Sequence, residues 1–391
     1  AEPQDFGREQ HAVLEGPDVD VWLDATVLRL EGEPGTERVR QAIARSAAGR
    51  EVRVRARGFV LATGGIENAR LLLASRDLCP AGLGNERDQV GRWLMNHPKS
   101  SRGLVHLAKP VRDLPYYFGC LHQGYAGYAG LRLSDEEQRG RQLLDSYVRF
   151  EPLFPWTDSR GVEALVLLVK RSKRLFAAWK RRRQDDVVPL RDWSETGDDS
   201  PLADEQGREP GFAALVGMVL GDLPRVSRYA WHRLRGRSKP AVTRARVRNF
   251  MEMEPDPENR VTLTDALDAN GVPIPRVAHR CTELDRRSLV ALHEELGREL
   301  ERTGIGRLES DLATAEPWPV DQDASHHMGT TRMGTDPATS VVDPDLRLHT
   351  VENVWCAGTS VFPTSGCANP TMTIVALSIR LARHLRAAAP D

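Results

Sequence analysis

Two short segments in the last quarter of the chain combine a possible proton acceptor with backbone that can approach a ligand closely. The first, S-H-H-M-G-T-T-R-M-G from Ser325, places a histidine pair before a glycine-rich turn. The second, G-C-A-N-P-T-M-T-I from Gly366, places Asn369 directly before a proline that opens an apolar run. A neutral imidazole is the usual general base near neutral pH, and an amide can hydrogen-bond the oxygen that loses the proton. Together the two segments are typical of the two halves of a hydride-transfer site.

Only one of the two histidines is expected to face such a site. Adjacent side chains point in different directions on a strand or a turn, so at most one of His326 and His327 faces a given cavity. Neither histidine has a partner at metal-ligand spacing, and we predict no metal site. On residue type alone, a structural role for either histidine is the alternative to a catalytic one.

Asn369 and Pro370 predict the start of a helix. Asn is a favoured N-cap, and Pro is favoured at the first helical position because its missing N–H would be unpaired there anyway. The run from Thr371 continues with a thick apolar face. The N-terminus of this helix would present free N–H groups and the positive end of the macrodipole, which suit a negatively charged group. A capped helix that only packs is the alternative, and it leaves the histidine motif unexplained.

A strand, a glycine turn and a helix follow one another around residue 64. Glu51–Thr63 alternates apolar and polar residues and then ends in a continuous apolar run, which predicts a strand. The turn is Gly64-Gly65, and residues 66–75 repeat apolar side chains at helical spacing. This order lets backbone approach a phosphate or a ring, although an ordinary strand–helix connection explains it at least as well.

Other patterns predict the elements around these motifs. Val19–Leu30 alternates as a strand, and Val354–Gly358 is typical of a buried strand that ends at glycine. Asn270-Gly271 is a strong hairpin signal, and Asp285–Gly304 spaces its leucines as an amphipathic helix.

Two basic stretches, Lys170–Arg183 and Arg225–Arg248, are typical of solvated helix faces. A surface that binds acidic lipid headgroups or a partner is the alternative for these stretches.

Composition narrows the class of protein. With 391 residues, two domains or lobes are expected. The 54 Lys+Arg against 55 Asp+Glu give a net charge of −1, which together with the absence of a recognised module argues against nucleic-acid binding. No apolar run reaches the ~20 residues that span a bilayer, so no membrane span is predicted. The five cysteines are scattered and never form C-x-x-C, which favours a reducing, cytoplasmic compartment over a disulfide framework or a zinc site.

The C-terminal motifs resemble those of the glucose–methanol–choline (GMC) flavin oxidoreductases, and the likeness extends to V-V-D-P-D-L-R at Val341–Arg347 and N-V-W-C-A-G-T-S-V-F-P-T at Asn353–Thr364. V-G-R-W-L-M-N-H-P-K at Val90–Lys99 resembles the point where that family leaves its cofactor lobe. The resemblance implies an α/β (α+β) fold with an incomplete FAD-binding Rossmann-like lobe and a sheet-containing substrate-binding lobe. It assigns residues 1–96 to the FAD-binding lobe, 97–320 to the substrate-binding lobe and 321–391 to a C-terminal segment that returns to the FAD lobe.

The resemblance also implies roles for individual residues. His326 takes the position of the catalytic histidine, three residues before the glycine of H-x-x-G, and Asn369 takes that of its catalytic partner. The implied reaction is oxidation of an alcohol, with the proton going to His326 and hydride going to FAD. Asn369 stands where many relatives have histidine, which resembles the sugar-oxidising, pyranose oxidase-like branch and implies a sugar or glycoside substrate. The electron acceptor stays open. The residues implied to contact FAD are Thr63, Gly64, Gly65, Ala357, Gly358, Thr359, Pro370 and Thr371.

One expected motif does not occur: the 391 residues contain no G-x-G-x-x-G. We therefore expect this chain to be the C-terminal two-thirds of such an enzyme, without the strand–turn–helix that holds the ADP half of FAD, and to bind FAD poorly by itself. A truncated remnant or partner subunit of a GMC enzyme is the alternative.

Overall fold

A computed structural model describes residues 9–112, 118, 120–122, 125–127, 129–175, 202, 208–235, 240–321 and 326–388. Ser325, at the start of the histidine motif, and the end of the basic stretch Lys170–Arg183 lie outside these residues.

The described chain contains both helices and strands, and several strands or helices often follow one another directly. The helices are α1 His11–Leu14, α2 Gly65–Ala74, α3 Asp135–Arg141, α4 Arg160–Leu175, α5 Phe212–Gly221, α6 Leu223–Leu234, α7 Glu283–Arg302 and α8 Thr371–Ala388. The strands are β1 Ala25–Gly32, β2 Val39–Ser46, β3 Glu51–Arg55, β4 Phe59–Leu61, β5 Lys99–Ser100, β6 Leu104–Val111, β7 Cys120–His122, β8 Tyr125–Gly127, β9 Leu131–Arg132, β10 Ser146–Pro152, β11 Val242–Met251, β12 Arg260–Leu267, β13 Pro273–Ala278, β14 Gly306–Glu309 and β15 Val354–Cys356. A short 3₁₀ helix spans Thr359–Val361.

The strands form sheets of very different size. The largest has the order β14-β6-β11-β10-β9, with β5 paired to β11, and its pairs are antiparallel. Strands β1, β2 and β3 form an antiparallel meander, and β12 and β13 form a hairpin. Strands β4 and β15 form a two-stranded parallel pair. This mixture of helices with parallel and antiparallel sheets confirms the α/β (α+β) class.

Two large hydrophobic cores organise the described chain. The first combines side chains from α2 and the β4–β15 pair with residues of the C-terminal third, among them Met328 and Leu381. The second lies between the largest sheet and α7, and it includes the buried Leu289, Leu292 and Leu296 of α7 and Val247 of β11. Hydrophobic burial at ~25 cal/mol per Å² is the main stabilising contribution of both cores.

Two elements that were predicted from residues close together in the sequence are confirmed. The helix expected over Asp285–Gly304 is α7, and its N-terminus carries a capping box in which Thr282 and Asp285 exchange hydrogen bonds. The hairpin turn at Asn270-Gly271 joins β12 to β13, and Gly271 has a φ of 78° there.

Two strand predictions need correction. The strand expected over Val19–Leu30 begins only at Ala25, because the ladder with β2 starts at the pair Ala25–Ser46 and the preceding Asp24 has a φ of 53°. The stretch Glu51–Thr63 is not one strand. It divides into β3, which pairs with β2, and β4, which pairs with β15, so its two halves belong to different sheets.

Candidate active site

The parallel pair of β4 and β15 brings the two predicted cofactor turns to one edge. Phe59 lies opposite Val354 and Leu61 opposite Cys356, and the N–H of Ala357 donates to the carbonyl of Leu61 at 2.7 Å. Because parallel strands end at the same side, the turn after β4 and the turn after β15 lie next to each other. In α/β proteins, ligands commonly bind just beyond the carboxyl ends of parallel strands.

Asn68, in the first turns of α2, joins these two turns. It is fully buried, and its Oδ1 accepts hydrogen bonds from the N–H of Thr63 at 2.9 Å and from the Thr63 hydroxyl at 2.6 Å. Its Nδ2 donates to Ser360 Oγ at 2.8 Å and to the Ala357 carbonyl at 3.2 Å. Asn68 was not among the residues predicted from the sequence, because a polar residue inside a leucine-rich helix indicates a role only once its distant partners are known.

The glycines of the two turns have different surroundings. Gly64 and Gly358 have φ values of 97° and 91°, and a Cβ added at either would meet no atom within 4 Å. Their backbone is therefore open to close approach by another group. Gly65 is different, because a Cβ there would lie 2.2 Å from the carbonyl oxygen of His327. The lack of a side chain at Gly65 lets the histidine segment pack against α2.

Hydrogen bonds join the histidine segment, residues 326–329, to the turn after β15. Thr359 Oγ1 donates to the carbonyl of His327 at 2.6 Å, and the N–H of Gly329 donates to the carbonyl of Thr359 at 3.2 Å. On its other side, Met328 pairs with Met95 through two backbone hydrogen bonds of 2.8 and 3.0 Å. The predicted catalytic motif therefore lies between the Gly358–Thr359 turn and residues 93–97.

The two histidine rings have different neighbours. His326 Nδ1 lies 3.2 Å from His97 Nδ1, and the two rings cross at 69° with centroids 5.1 Å apart. Burial lowers the pKa of His326, and the positive charges of Lys99 and protonated His327 lower it further. Burial also lowers the pKa of His327, with a smaller contribution from His279. His326 has a φ of 81°, a conformation that residues other than glycine adopt rarely.

His97 is the second site residue that the sequence analysis missed. It is 2% exposed, and burial, together with the charge of His326, lowers its pKa to about 4. The backbone of Ser365 and Gly366 lies near the ring and acts to raise the pKa of His97, but by less than burial lowers it. The signal that could have found it is the N-H-P run at Asn96–Pro98, which the sequence analysis used only as a lobe boundary.

Asn369 lies at the end of the loop that passes His97. Gly366 N–H donates to Glu252 Oε1 at 3.2 Å, and Ser365 Oγ accepts from the N–H of Met253 at 3.1 Å, which attach the loop to the end of β11. The side chain of Asn369 is exposed and makes no hydrogen bond to a described residue. The helix predicted after it is α8, which begins at Thr371. Ile374 N–H donates to the carbonyl of the buried Pro370 at 2.9 Å, so Pro370, and not Asn369 as predicted, occupies the N-cap position.

The predicted residues thus fall into two groups. Thr63, Gly64, Ala357, Gly358 and Thr359 lie around the β4–β15 edge, although both donors of Thr63 and the hydroxyl of Thr359 already bond within the protein. His326 contacts His97, and the backbone next to His97 leads to Asn369. No cluster of three or more His, Cys, Asp or Glu that could hold a metal ion occurs among the described residues.

Part of the chain matches a known family model. Residues 255–378, which include His326 and Asn369, match the model of the GMC oxidoreductase C-terminal domain. The resemblance to the GMC oxidoreductases that was predicted from the motifs is therefore confirmed for this part of the chain.

Two curated relatives illustrate the similarity. C-glycoside 3-oxidase of Arthrobacter globiformis is 36% identical over 131 residues, which are 33% of this chain and 24% of the relative. The large subunit of fructose dehydrogenase of Gluconobacter japonicus is 28% identical over 338 residues, which are 84% of this chain and 47% of the relative. The chain therefore spans less than half of either relative, and their names agree with the oxidoreductase class predicted from the sequence.

A solved structure supports the fold. Pyridoxine 4-oxidase from Mesorbium loti superimposes with a TM-score of 0.50 at 17% identity, covering 95% of this chain and 59% of that chain. At this identity the match is evidence for the fold alone. Among the described residues, no helix is both long and apolar enough to cross a membrane.

Proposed function

We propose that this chain is part of an FAD-dependent oxidoreductase that oxidises a CH–OH group of a sugar or glycoside. The observation that carries the proposal is the hydrogen bond from Thr359 Oγ1 to the His327 carbonyl. It attaches the histidine segment to the glycine turn within the matched domain, so a proton acceptor and an open backbone edge belong to one site.

The residues at this edge fit a flavin nucleotide. Gly64 and Gly358 offer backbone that no side chain shields, which a planar ring or a ribityl chain needs for close approach. We assign FAD contacts to these two turns, including Thr63, Gly65, Ala357 and Thr359. The N-terminus of α8 follows Pro370 and begins at Thr371. The first N–H groups from Thr371 onward have no partner within the helix, and together with the positive dipole end they favour negative charge on a group bound at Pro370 and Thr371.

FAD, when bound, supplies the acceptor for the hydride that leaves the substrate carbon. The chain's own residues handle the proton. Because burial lowers the pKa of His326, its imidazole is neutral at pH 7 and can accept the hydroxyl proton on Nε2, the ring nitrogen that does not contact His97. The Asn369 amide would donate a hydrogen bond to the same oxygen and stabilise its alkoxide character.

The substrate class rests on the relatives and on Asn369. One relative is named for a C-glycoside and the other for fructose. The family model that matches residues 255–378 covers His326 and Asn369. We propose accordingly that residues 97–320 form most of the substrate-binding lobe and that residues 1–96 and 321–391 contribute to the FAD lobe.

The test uses the complete protein that contains this chain. After purification, the visible absorption spectrum shows whether a flavin is bound, and anaerobic mixing with fructose, glucose, simple glycosides and short alcohols shows which of them bleaches it. We expect bleaching by at least one sugar or glycoside. His326→Gln should abolish most of the bleaching with the flavin still bound, whereas His106→Gln should not, because His106 pairs with Glu309 at 2.8 Å in the largest sheet. A flavin-loaded protein that no sugar, glycoside or alcohol reduces would contradict the proposal.

A further inference from the structure

Either ring can be the donor in the hydrogen bond between His97 and His326. The choice of donor decides whether Nε2 of His326 is free to accept a proton. Nδ1 of each ring lies 3.2 Å from Nδ1 of the other, so a single proton lies between them when both rings are neutral. If His97 donates that proton, His326 carries its own proton on Nε2 and cannot accept another there. If His326 donates, its Nε2 keeps a free lone pair. The tautomer of His326 therefore depends on which nitrogen of His97 is protonated.

The surroundings of His97 favour the arrangement in which His326 donates its Nδ1–H to His97. Its ring is 2% exposed, and its Nε2 is buried without a hydrogen bond of ordinary geometry to a described residue. The backbone of Ser365 and Gly366 nevertheless lies close enough to favour a proton on this ring. Nε2 is the ring nitrogen that His326 does not occupy, so a proton on Nε2 leaves Nδ1 of His97 as an acceptor.

The backbone of His326 supports a constrained orientation. A φ of 81° at a residue other than glycine persists only where the surroundings hold it. Here the paired strands at Met95 and Met328 and the hydrogen bond from Thr359 to His327 hold the segment on both sides. His97 is the described side chain that forms a hydrogen bond with the His326 ring.

We propose that His97 is a positioning residue: its Nδ1 accepts the Nδ1–H of His326 and so keeps Nε2 of His326 unprotonated and directed to the substrate. The role in catalysis rests on the proposed function, whereas the tautomer does not. In the reaction, the substrate O–H bond breaks and an N–H bond forms at Nε2 of His326. The hydrogen bond to His97 is kept throughout, and His97 itself neither gains nor loses a proton.

The tautomer can be measured on the 391-residue chain without any cofactor. Selective ¹⁵N-histidine labelling and long-range ¹H–¹⁵N correlation distinguish a protonated Nδ1 from a protonated Nε2, with His326→Gln used to identify the His326 signals. We expect His326 to be protonated on Nδ1 in the unaltered chain. His97→Asn should preserve this state, because the Asn Oδ1 can stand in for the imidazole Nδ1 as acceptor. His97→Leu should shift His326 toward protonation on Nε2.

Two results would overturn the proposal. One is His326 protonated on Nε2 in the unaltered chain, a measurement that does not depend on whether His97→Leu folds. The other is a His326 tautomer that is the same in folded His97→Leu as in the unaltered chain. His327→Asn is the matched control, because the hydrogen bond to His97 Nδ1 is made by His326 and the loss of the His327 ring should leave the His326 tautomer unchanged.

The consequence for catalysis is measured separately in the complete flavin-loaded protein. His97→Leu should lower the rate constant for flavin reduction about ten- to hundred-fold with little change in substrate affinity, and His97→Asn should restore most of the rate. Equal losses in His97→Leu and His97→Asn would contradict the positioning role. If no substrate reduces the unaltered protein, the proposed function fails while the tautomer measurement still decides the role of His97.

Discussion

Asn68 Nδ2 donates a hydrogen bond of 2.8 Å to Ser360 Oγ across a separation of 292 residues in the chain. Ser360 Oγ in turn lies 2.7 Å from Thr331 Oγ1, which donates to it. The buried amide of Asn68 thus connects α2 with the turn after β15 and, through Ser360, with Thr331 of the histidine motif. The candidate site is held together by polar contacts inside the first core as well as by apolar packing.

Asn68→Ala should destabilise the chain by about 3 kcal/mol, because it leaves the Thr63 N–H and the Ala357 carbonyl without their buried partner. Urea denaturation followed by circular dichroism measures the free energy of unfolding. Asn270→Ala is the control, since the Asn270 side chain makes no hydrogen bond to a described residue, and we expect a change within about 0.5 kcal/mol. Equal effects of the two substitutions would show that the Asn68 contacts contribute little.

Gly329→Ala and Gly358→Ala should separate folding from cofactor binding. Both glycines have positive φ, 87° and 91°, but a Cβ at Gly329 would lie 2.1 Å from the Trp93 carbonyl oxygen, whereas one at Gly358 would meet nothing within 4 Å. We expect Gly329→Ala to cost about 3 kcal/mol of stability and Gly358→Ala about 1 kcal/mol, mainly from backbone strain.

In the complete protein, Gly358→Ala should weaken FAD binding more than its small effect on stability explains, because the added methyl group projects into the open edge. Flavin content after dialysis against buffer measures this loss. Full flavin retention in Gly358→Ala would argue against our assignment of this turn to the cofactor.

His326→Ala in the complete protein should slow flavin reduction by substrate about 10²- to 10⁴-fold while the flavin stays bound, since the imidazole acts on the substrate proton. His327→Ala should have a much smaller effect, because adjacent side chains point in different directions and His326 is the one that contacts His97. Stopped-flow absorbance under anaerobic conditions gives both rates. An essential His327, or equal losses in the two variants, would reverse our assignment within the pair.

The rate of flavin reduction should also depend on pH in a direction set by His326. The neutral imidazole is the active form, and burial, with help from Lys99, places its pKa below the ordinary 6.5. The rate should therefore be constant above pH 6.5 and fall by about tenfold per pH unit below the lowered pKa.

Lys99→Met removes a positive charge and should raise the pKa of His326, which moves the acid limb of this profile to higher pH. Lys109→Met, on the exposed part of β6, is the matched control and should leave the profile unchanged. An acid limb that moves to lower pH in Lys99→Met, or does not move, would show that Lys99 does not act on the base.

The sequence alone determined the features whose signals are local. The existence of α8, the Asn–Gly turn between β12 and β13 and the leucine spacing of α7 each depend on residues a few positions apart, so they could be predicted without a structure. The start of α8 was predicted one residue too early. The histidine motif and its family were recognisable for the same reason, because the residues that carry the resemblance are contiguous.

Only the tertiary structure decided which distant residues meet. Nothing in the stretch Glu51–Thr63 indicates that it divides between two sheets, because pairing partners are chosen by the whole fold. The contact of His97 with His326 spans 229 residues. The five hydrogen bonds of the Asn68 side chain join residues just before α2, Leu61 and Thr63, to Ala357 and Ser360 after β15. A buried polar side chain acquires its role from partners that folding brings to it, since an unpaired polar group in the core is costly.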